Sequence, residues 1–178
     1  MDLSHAAVAL ILRERREFGD VELLLIRRSE HPCDPWSGHM GFPGGRVEPG
    51  DETPFQTAKR ETMEELGINL DTSAQFLGRL SELRARSRKK ILPLSIFPYV
   101  FATTESFNLQ CNQEVSEAIW IPLEFFLNKG NRGELPVLRE ENDSAFPCYY
   151  YEGRTIWGLS LMMLDEFLFE ALPNPSFR

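Results

Sequence analysis

Three glutamates that lie close together in the sequence give the first indication of chemistry. Glu61, Glu64 and Glu65 stand at positions i, i+3 and i+4, and residues at these spacings are neighbours on one face of an α-helix. Three adjacent negative charges weaken a helix unless a positive charge joins them. Carboxylate oxygens are the ligands that hard divalent cations prefer. The spacing therefore predicts a metal-binding helix face; the alternative is an acidic face that contacts only water.

The residues around the glutamates predict the helix independently. Thr53 suits an N-cap, Pro54 the first helical position, and Gln56 completes a capping box. Apolar residues follow at roughly helical spacing, namely Ala58, Met63 and Leu66. Gly67 is a stop signal. We therefore expect a helix of about 14 residues, a usual length, between Thr53 and Gly67.

A turn poor in side chains precedes this helix. Phe42 and Pro43 lead into Gly44 and Gly45, and glycine lets a backbone come close to a metal or a phosphate because it has no Cβ. We therefore expect Gly44 and Gly45 to contribute backbone atoms to the same site as the glutamates.

The segment from Gly45 to Ile68 resembles the Nudix box, Gly-x5-Glu-x7-Arg-Glu-U-x-Glu-Glu-x-Gly-U, in which U is bulky and apolar. Six residues match its later part: Arg60, Glu61, Glu64, Glu65, Gly67 and Ile68. Two positions depart from the motif, since six residues rather than five separate Gly45 from Glu52, and Thr62 occupies the first U position.

This resemblance implies a fold and a reaction. The Nudix fold is an α/β/α sandwich with a mixed central sheet, and its members hydrolyse diphosphate linkages with Mg²⁺, or alternatively Mn²⁺. By resemblance, Glu61 and Glu65 are the main metal ligands, with Glu64 close by and the Gly45 carbonyl as an additional ligand. Arg60 would pair with Glu52 and brace the loop against the helix.

Further candidate residues lie outside the box. Glu114 begins a string, EVSEAIWIPL, that resembles a later Nudix segment in which a Glu-Val precedes a strand. The resemblance implies a further metal ligand or a general base at Glu114. Four basic residues are candidates for substrate binding beside Gly44 and Gly45, namely Arg28, His39, Arg84 and Arg86; for each, an ordinary loop or surface role is the alternative. Arg84 and Arg86 open a basic cluster that continues to Lys90.

Two further stretches resemble the coenzyme A diphosphatase branch of the family. They are residues 37–51, SGHMGFPGGRVEPGD, and residues 156–160, IWGLS. That branch also has the longer box, with an Asp before the Glu. Residues 30–37 depart from the branch pattern, being one residue longer and lacking its second Arg.

The sequence therefore leaves several substrates as alternatives. Coenzyme A or a derivative is the first candidate, followed by ADP-ribose, nucleotide sugars or dinucleotides, and then by nucleoside triphosphates or capped RNA. Two alternatives are not enzymes, namely a non-catalytic ligand sensor and a protein-interaction module. The intact glutamate set argues against a sensor, and the lack of repeats argues against an interaction module.

Composition and charge predict the number of domains and the kind of ligand that the protein binds. The chain has 178 residues, a net charge of −8 and a pI near 5.0, which favours one domain over residues 1–178. This charge argues against broad binding to nucleic acid or to an anionic membrane, so we expect a small nucleotide as the partner of a monomer or homodimer. The three cysteines form no CxxC pair, which is typical of reduced thiols and a cytoplasmic location.

Patterns of apolar residues predict the remaining elements. Strands are expected at 6–12, 21–27, 76–83, 92–101 and 117–121, a hairpin at 146–156, and helices at 123–128 and 159–172. A turn is expected at 128–133. Pro93 and Pro98 within the fourth strand indicate a sheet edge or a bulge.

Overall fold

A computed structural model describes residues 4–15, 20–32, 34, 36–86, 91–137 and 144–171. The end of the predicted basic cluster, residues 87–90, lies outside this set. Within the described residues the strands are β1 (Ser4–Arg15), β2 (Asp20–Arg28), β3 (Met40–Gly41), β4 (Gly44–Arg46), β5 (Gln75–Arg79), β6 (Leu83–Arg86), β7 (Ile91–Thr103), β8 (Val115–Pro122), β9 (Arg132–Val137), β10 (Ser144–Tyr151) and β11 (Arg154–Trp157). The helices are α1 (Pro54–Leu66), α2 (Leu70–Ser73), α3 (Leu123–Leu127) and α4 (Gly158–Ala171).

The central sheet is buried on both faces. Along β1, Ala7, Ala9 and Ile11 enter the core on one face while Leu10 and Leu12 enter the core on the other, as the two-residue period of a strand requires. The core on the face of Ala7, Ala9 and Ile11 contains Ala58 and Leu66 of α1. The core on the opposite face contains Leu161, Leu164 and Phe167 of α4. β1 pairs parallel with β7 and antiparallel with β2. The predicted α/β/α sandwich with a mixed sheet is confirmed.

Strands β1 and β2 separate at the place where Gly44 and Gly45 lie. β1 and β2 pair over residues 12–15 and 20–23 and then diverge. Residues 40–46 lie between them, with β3 paired to β2 at Ile26 and Arg27, and β4 paired to β1 at residues 6–8. Gly44 and Gly45 are therefore held inside the sheet, against β1, rather than in a surface loop.

The strand that carries Pro93 and Pro98 is not at an edge. β7 pairs with β1 on one side and with β5 and β6 on the other. The predicted single strand at 76–83 is instead two strands, with a break opposite Pro98, whose carbonyl accepts from the Leu80 amide at 3.0 Å. The N–H and C=O of a strand residue point to the same side. The donor that proline lacks therefore faces this break, which explains why a proline is tolerated there.

Strand β9 was missed by the sequence patterns, which predicted a turn over residues 128–133. Gly133 and Pro136 lie within it and weaken the strand signal. With β10 and β11 it forms a separate three-stranded sheet. The hairpin at β10–β11 turns at Glu152 and Gly153, as expected. No helix among the described residues is both long and apolar enough to cross a bilayer.

Candidate active site

Helix α1 presents the glutamates, and its ends follow the sequence signals. It has 13 residues. Thr53 Oγ1 accepts from the Gln56 amide at 3.3 Å, and Gln56 Oε1 accepts from the Glu52 amide at 2.7 Å. Gly67 adopts a left-handed conformation, with φ of 72°, and its amide donates to the Met63 carbonyl. These caps fix the helix from Thr53 to Gly67, as predicted.

Glu65 is the most buried carboxyl of the site. It is 1% exposed, and its Oε2 accepts a hydrogen bond from the Gly44 amide at 2.8 Å. Burial raises the pKa of Glu65 to about 8, against the opposing effect of the Gly44 hydrogen bond, and the nearby charge of Glu61 adds to the rise. Without a cation, Glu65 is therefore mostly protonated at neutral pH.

The two glycines are needed for close contact. A Cβ on Gly44 would overlap the Ala7 carbonyl and Val8, and Gly44 has φ of +151°, a conformation that side chains rarely adopt. A Cβ on Gly45 would overlap the carboxylate of Glu61. The backbone at Gly44 and Gly45 thus touches both Glu61 and Glu65, as the sequence predicted.

The partner of Arg60 is Asp51, and the expected Arg60–Glu52 pair is wrong. Arg60 Nε donates to Asp51 Oδ1 at 3.0 Å and Nη2 donates to Oδ2 at 2.9 Å. These bonds hold the pKa of Asp51 well below its usual range, despite the opposing effect of burial. Asp51 also accepts from Thr57 Oγ1 at 2.9 Å. Glu52 is exposed, and its carboxylate instead lies 3.4 Å from Gln56 Nε2.

The sequence contained the signal for this pairing. Five residues separate Asp51 from Gly45, which is the standard spacing of the box. The extra residue of the longer box therefore lies after the bracing carboxylate rather than before it. Asp51, with a side chain 5% exposed, is the functional residue that sequence reasoning missed.

Arg60 also connects the other two glutamates. Its Nη1 donates to Glu61 Oε1 and to Glu64 Oε2, both at 3.0 Å, and Nη2 donates to the Arg46 carbonyl at 3.1 Å. Burial raises the pKa of Glu61, while Arg60 acts in the opposite direction. Glu64 is 54% exposed. Arg60 thus partly neutralises Glu61 and Glu64, whereas no basic side chain among the described residues forms an ion pair with Glu65.

Glu114 reaches this site because the segment before it is attached to the end of α1. The Asn112 amide donates to the Glu65 carbonyl at 3.0 Å, and the Gln110 amide donates to the Leu66 carbonyl at 3.0 Å. Asn112 Oδ1 then accepts from the Glu114 amide at 2.8 Å. The charge of Glu114 contributes to the raised pKa of both Glu61 and Glu65. The structure therefore brings Glu114 together with the box glutamates.

Arg28, the last residue of β2, acts on Glu65. Its charge lowers the pKa of Glu65, against the larger effect of burial. Arg28 Nε donates to Asp34 Oδ2 at 2.8 Å. His39, in contrast, packs its ring against Trp157 with centroids 5.1 Å apart, beside a cavity on the neighbouring surface.

Arg84 and Arg86 lie on β6, away from the glutamates. Strands β1 and β7 separate β4 from β6, which corresponds to roughly 14 Å at about 4.8 Å per strand. The side chain of Arg84 is 57% exposed, with Nε 3.8 Å from the Glu82 carboxylate. The structure does not bring Arg84 into the cluster of carboxyls.

The donor set at this site fits a hard divalent cation. Among the described residues, no three acidic, imidazole or thiol side chains already converge as a metal cluster. Glu61 and Glu65 nevertheless lie together, and burial disfavours the charged form of each. A cation between them would remove that penalty. Mg²⁺ keeps several waters and needs only one or two carboxylates, a requirement that the donor types of Glu61, Glu65 and the Gly45 backbone fit.

Comparison with known proteins identifies the domain family of this chain. The NUDIX domain model matches residues 3–140. The uncharacterized Nudix hydrolase NudL of Yersinia pestis (strain Pestoides F) is 31% identical over 142 residues, which cover 80% of this chain and 68% of that protein. An uncharacterized protein of Schizosaccharomyces pombe is 43% identical over 105 residues. That match covers 57% of this chain and 32% of the yeast protein, so the chain spans about a third of its length.

Solved structures give the same assignment. The binary complex of Ap4A hydrolase from C. elegans superposes with a TM-score of 0.57 at 25% identity, covering 70% of this chain and 83% of that one. A MutT/nudix family protein from Enterococcus faecalis gives a TM-score of 0.58 at 18% identity, covering 94% of this chain and 61% of that one, and shows the fold alone. The chain therefore belongs to the Nudix hydrolase family of pyrophosphohydrolases.

Proposed function

We propose that this Nudix hydrolase uses Mg²⁺, or alternatively Mn²⁺, to cleave the diphosphate linkage of a nucleoside diphosphate derivative, with coenzyme A or a derivative as its first candidate substrate. The observation that carries the reaction is the pair of half-buried and buried carboxyls, Glu61 and Glu65, held directly against the Gly44–Gly45 backbone.

The residues of the site have separate tasks in this reaction. A bound divalent ion would supply charge neutralisation at the phosphates and a more acidic water. The Gly44 amide orients Glu65, and Arg60, braced by Asp51, orients Glu61. We assign to Glu114 the role of accepting a proton from the attacking water, because its charge acts on both Glu61 and Glu65. Arg28 offers a guanidinium to a diphosphate oxygen, in exchange for its bond to Asp34.

The proposal of coenzyme A is supported by where its two sequence signatures lie. Residues 37–51 and 156–160 are far apart in the chain, yet Ser160 Oγ donates to the Met40 carbonyl at 2.8 Å. His39 and Trp157 are also in contact across the same boundary. The two segments that carry the resemblance to the coenzyme A branch thus contact each other in the fold.

A dinucleotide is the second candidate. The C. elegans neighbour is named an Ap4A hydrolase, and residues 30–37 of this chain depart from the coenzyme A pattern. That segment includes Asp34, which binds the Arg28 side chain, so the departure falls next to the proposed diphosphate site.

The test is a product analysis. Purified protein with Mg²⁺ is incubated with coenzyme A, ADP-ribose, a nucleotide sugar, Ap4A and a nucleoside triphosphate, and products are identified by mass spectrometry. Release of 3′,5′-ADP and 4′-phosphopantetheine would support the coenzyme A proposal. Intact coenzyme A beside a cleaved Ap4A would overturn it and support the second candidate. Intact coenzyme A beside a cleaved ADP-ribose or nucleotide sugar would overturn both in favour of another nucleoside diphosphate derivative.

The matched variant is Glu65→Gln, which removes a proposed ligand and keeps the shape of the side chain. It should lose turnover of every substrate by at least about 100-fold. Undiminished turnover would contradict the proposed metal site, and no turnover of any compound by the wild-type protein would favour a non-catalytic sensor.

A further inference from the structure

A cavity beside the carboxyl site has features of a binding pocket. Its volume is about 380 Å³, and it lies between β3 and the β10–β11 hairpin. Its walls include Arg27, Gly38, His39, Thr155 and Trp157. Small-molecule sites are typically concave, largely preformed spaces of about this size, with a few polar groups on an apolar wall.

Trp157 supplies a flat aromatic wall. The indole is partly exposed and contacts two rings, that of His39 at a centroid distance of 5.1 Å and that of Phe146 at 6.2 Å. Both rings are tilted relative to the indole, which also borders the cavity. An indole in this position is a stacking platform for a planar heterocycle, because every nucleobase has a π-face.

Arg27 supplies one unpaired hydrogen-bond donor on a side chain that is partly exposed. In the described part of the chain, its Nε is buried and has no hydrogen-bond partner. The nearest carboxylate, on Glu117, is 3.8 Å from that nitrogen. Glu117 is instead bound by Arg154, whose Nε donates to it at 3.0 Å. None of the described residues that line the cavity carries a carboxylate, so an acceptor oxygen, including that of a phosphate, meets no negative charge on its walls.

Two neighbouring residues at the end of β2 connect the cavity with the carboxyl site. Arg27 and Arg28 are the last two residues of β2, with Cα atoms about 3.8 Å apart. Arg28 acts on Glu65, whereas Arg27 lines the cavity. A ligand that lies over the end of β2 can therefore place one part beside each arginine.

We propose that this cavity binds the nucleoside part of the substrate, with the base stacked on Trp157 and an oxygen of the nucleoside or its phosphate accepting from Arg27. This inference rests on the proposed function and adds a recognition site to it. The diphosphate then lies toward Arg28, Glu61 and Glu65. The group attached to the far side of the diphosphate lies outside the cavity.

The test compares two ligands that differ only by the base. Binding of AMP and of ribose 5-phosphate to the whole protein is measured by isothermal titration calorimetry in EDTA, so that turnover plays no part. The wild-type protein should bind AMP at least about tenfold more tightly, because stacking on an aromatic side chain has roughly that effect. Equal binding, including no measurable binding of either ligand, overturns the proposal without any variant.

Variants then locate the preference. Trp157→Leu should remove the preference for AMP, while Trp157→Phe should keep most of it. Phe169→Leu makes the same kind of change at a position that is 59% exposed on α4 and serves as the matched control. Arg27→Gln should weaken AMP binding by about tenfold. A preference for AMP that survives Trp157→Leu places the base elsewhere and overturns the assignment.

Kinetics separate this inference from the proposed function. If a substrate is hydrolysed, Trp157→Leu should raise its KM and leave kcat within about threefold. Hydrolysis with an unchanged KM would refute the nucleoside site and leave the proposed function intact. Absence of hydrolysis in the wild-type protein would refute the proposed function, whereas the calorimetric preference for AMP would still stand or fall independently.

Discussion

Replacing Glu65 by Gln should stabilise the metal-free protein while destroying its activity. Glu65 is 1% exposed and has a pKa of about 8, against an ordinary value of 4.5. Gln has nearly the same shape and can still accept the hydrogen bond from Gly44, but it never ionises. The substitution therefore removes the cost of a buried negative charge and preserves the packing.

The magnitude follows from the pKa difference and depends on pH. Each pKa unit corresponds to about 1.4 kcal/mol, so ionising Glu65 costs roughly 5 kcal/mol more in the folded protein than in the unfolded chain. Below pH 4.5 the residue is protonated in both states and this cost is absent. Between pH 4.5 and about 8 the unfolded chain loses the proton that the folded protein keeps, so the free energy of unfolding falls as pH rises.

The assay is urea unfolding in EDTA at several pH values from 5.5 to 8.5, followed by circular dichroism. The advantage of Glu65→Gln in free energy of unfolding should grow with pH and exceed that at pH 5.5 by about 2–4 kcal/mol at pH 8.5. Glu64→Gln makes the same chemical change at a 54% exposed position of the same helix and should show a much smaller trend. Mg²⁺ at pH 8.5 should then stabilise the wild-type protein but not Glu65→Gln.

Parallel pH profiles for the wild-type protein and Glu65→Gln would refute this reasoning, because they would mean that Glu65 ionises as readily in the folded protein as in the unfolded chain. A stabilisation of Glu65→Gln by Mg²⁺ equal to that of the wild-type protein would separately refute the assignment of Glu65 as a ligand. The two readouts are independent, since one uses EDTA and the other uses the metal.

Three further predictions concern the support of the site. Asp51→Asn should lower the free energy of unfolding by about 2–3 kcal/mol, because it leaves Arg60 without its bidentate partner. Glu52→Gln should change it by less than about 0.5 kcal/mol. Chemical denaturation of the two variants tests which carboxylate braces the helix, and equal effects would contradict the structure. Gly44→Ala should lower it by more than about 2 kcal/mol, because a Cβ there meets the β1 backbone, and an unchanged thermal midpoint would disprove that contact. EDTA should abolish hydrolysis and added Mg²⁺ or Mn²⁺ should restore it; activity that persists in EDTA would exclude a metal requirement.

Local signals in the sequence were sufficient for the elements that position the glutamates. The caps of α1 involve Thr53, Gln56 and Gly67, which act within a few residues of one another, so their effect can be predicted without knowing the fold. The two-face burial of β1 was likewise visible as a short, continuous apolar run. Both features depend on interactions that the chain makes with its near neighbours.

Other features depend on contacts between distant segments and could not be predicted in the same way. The break between β5 and β6 is set by Pro98 on the neighbouring strand β7, and the position of Arg84 is set by the order of strands in the sheet. The role of Asp51 is intermediate, because its spacing from Gly45 was readable but its bond to Arg60 requires the folded loop. The contact between His39 and Trp157 joins segments more than a hundred residues apart and left no local signal.

The bond between the Arg28 amide and the His39 carbonyl, at 3.0 Å, has a consequence for how the protein can change over evolution. It ties together the two ends of the segment that departs from the coenzyme A pattern, and loop-closure entropy rises only slowly with loop length. Residues can therefore be inserted or deleted between these ends at little thermodynamic cost. Substrate preference can thus change through this segment without any change to α1, which carries the carboxyls proposed to hold the metal.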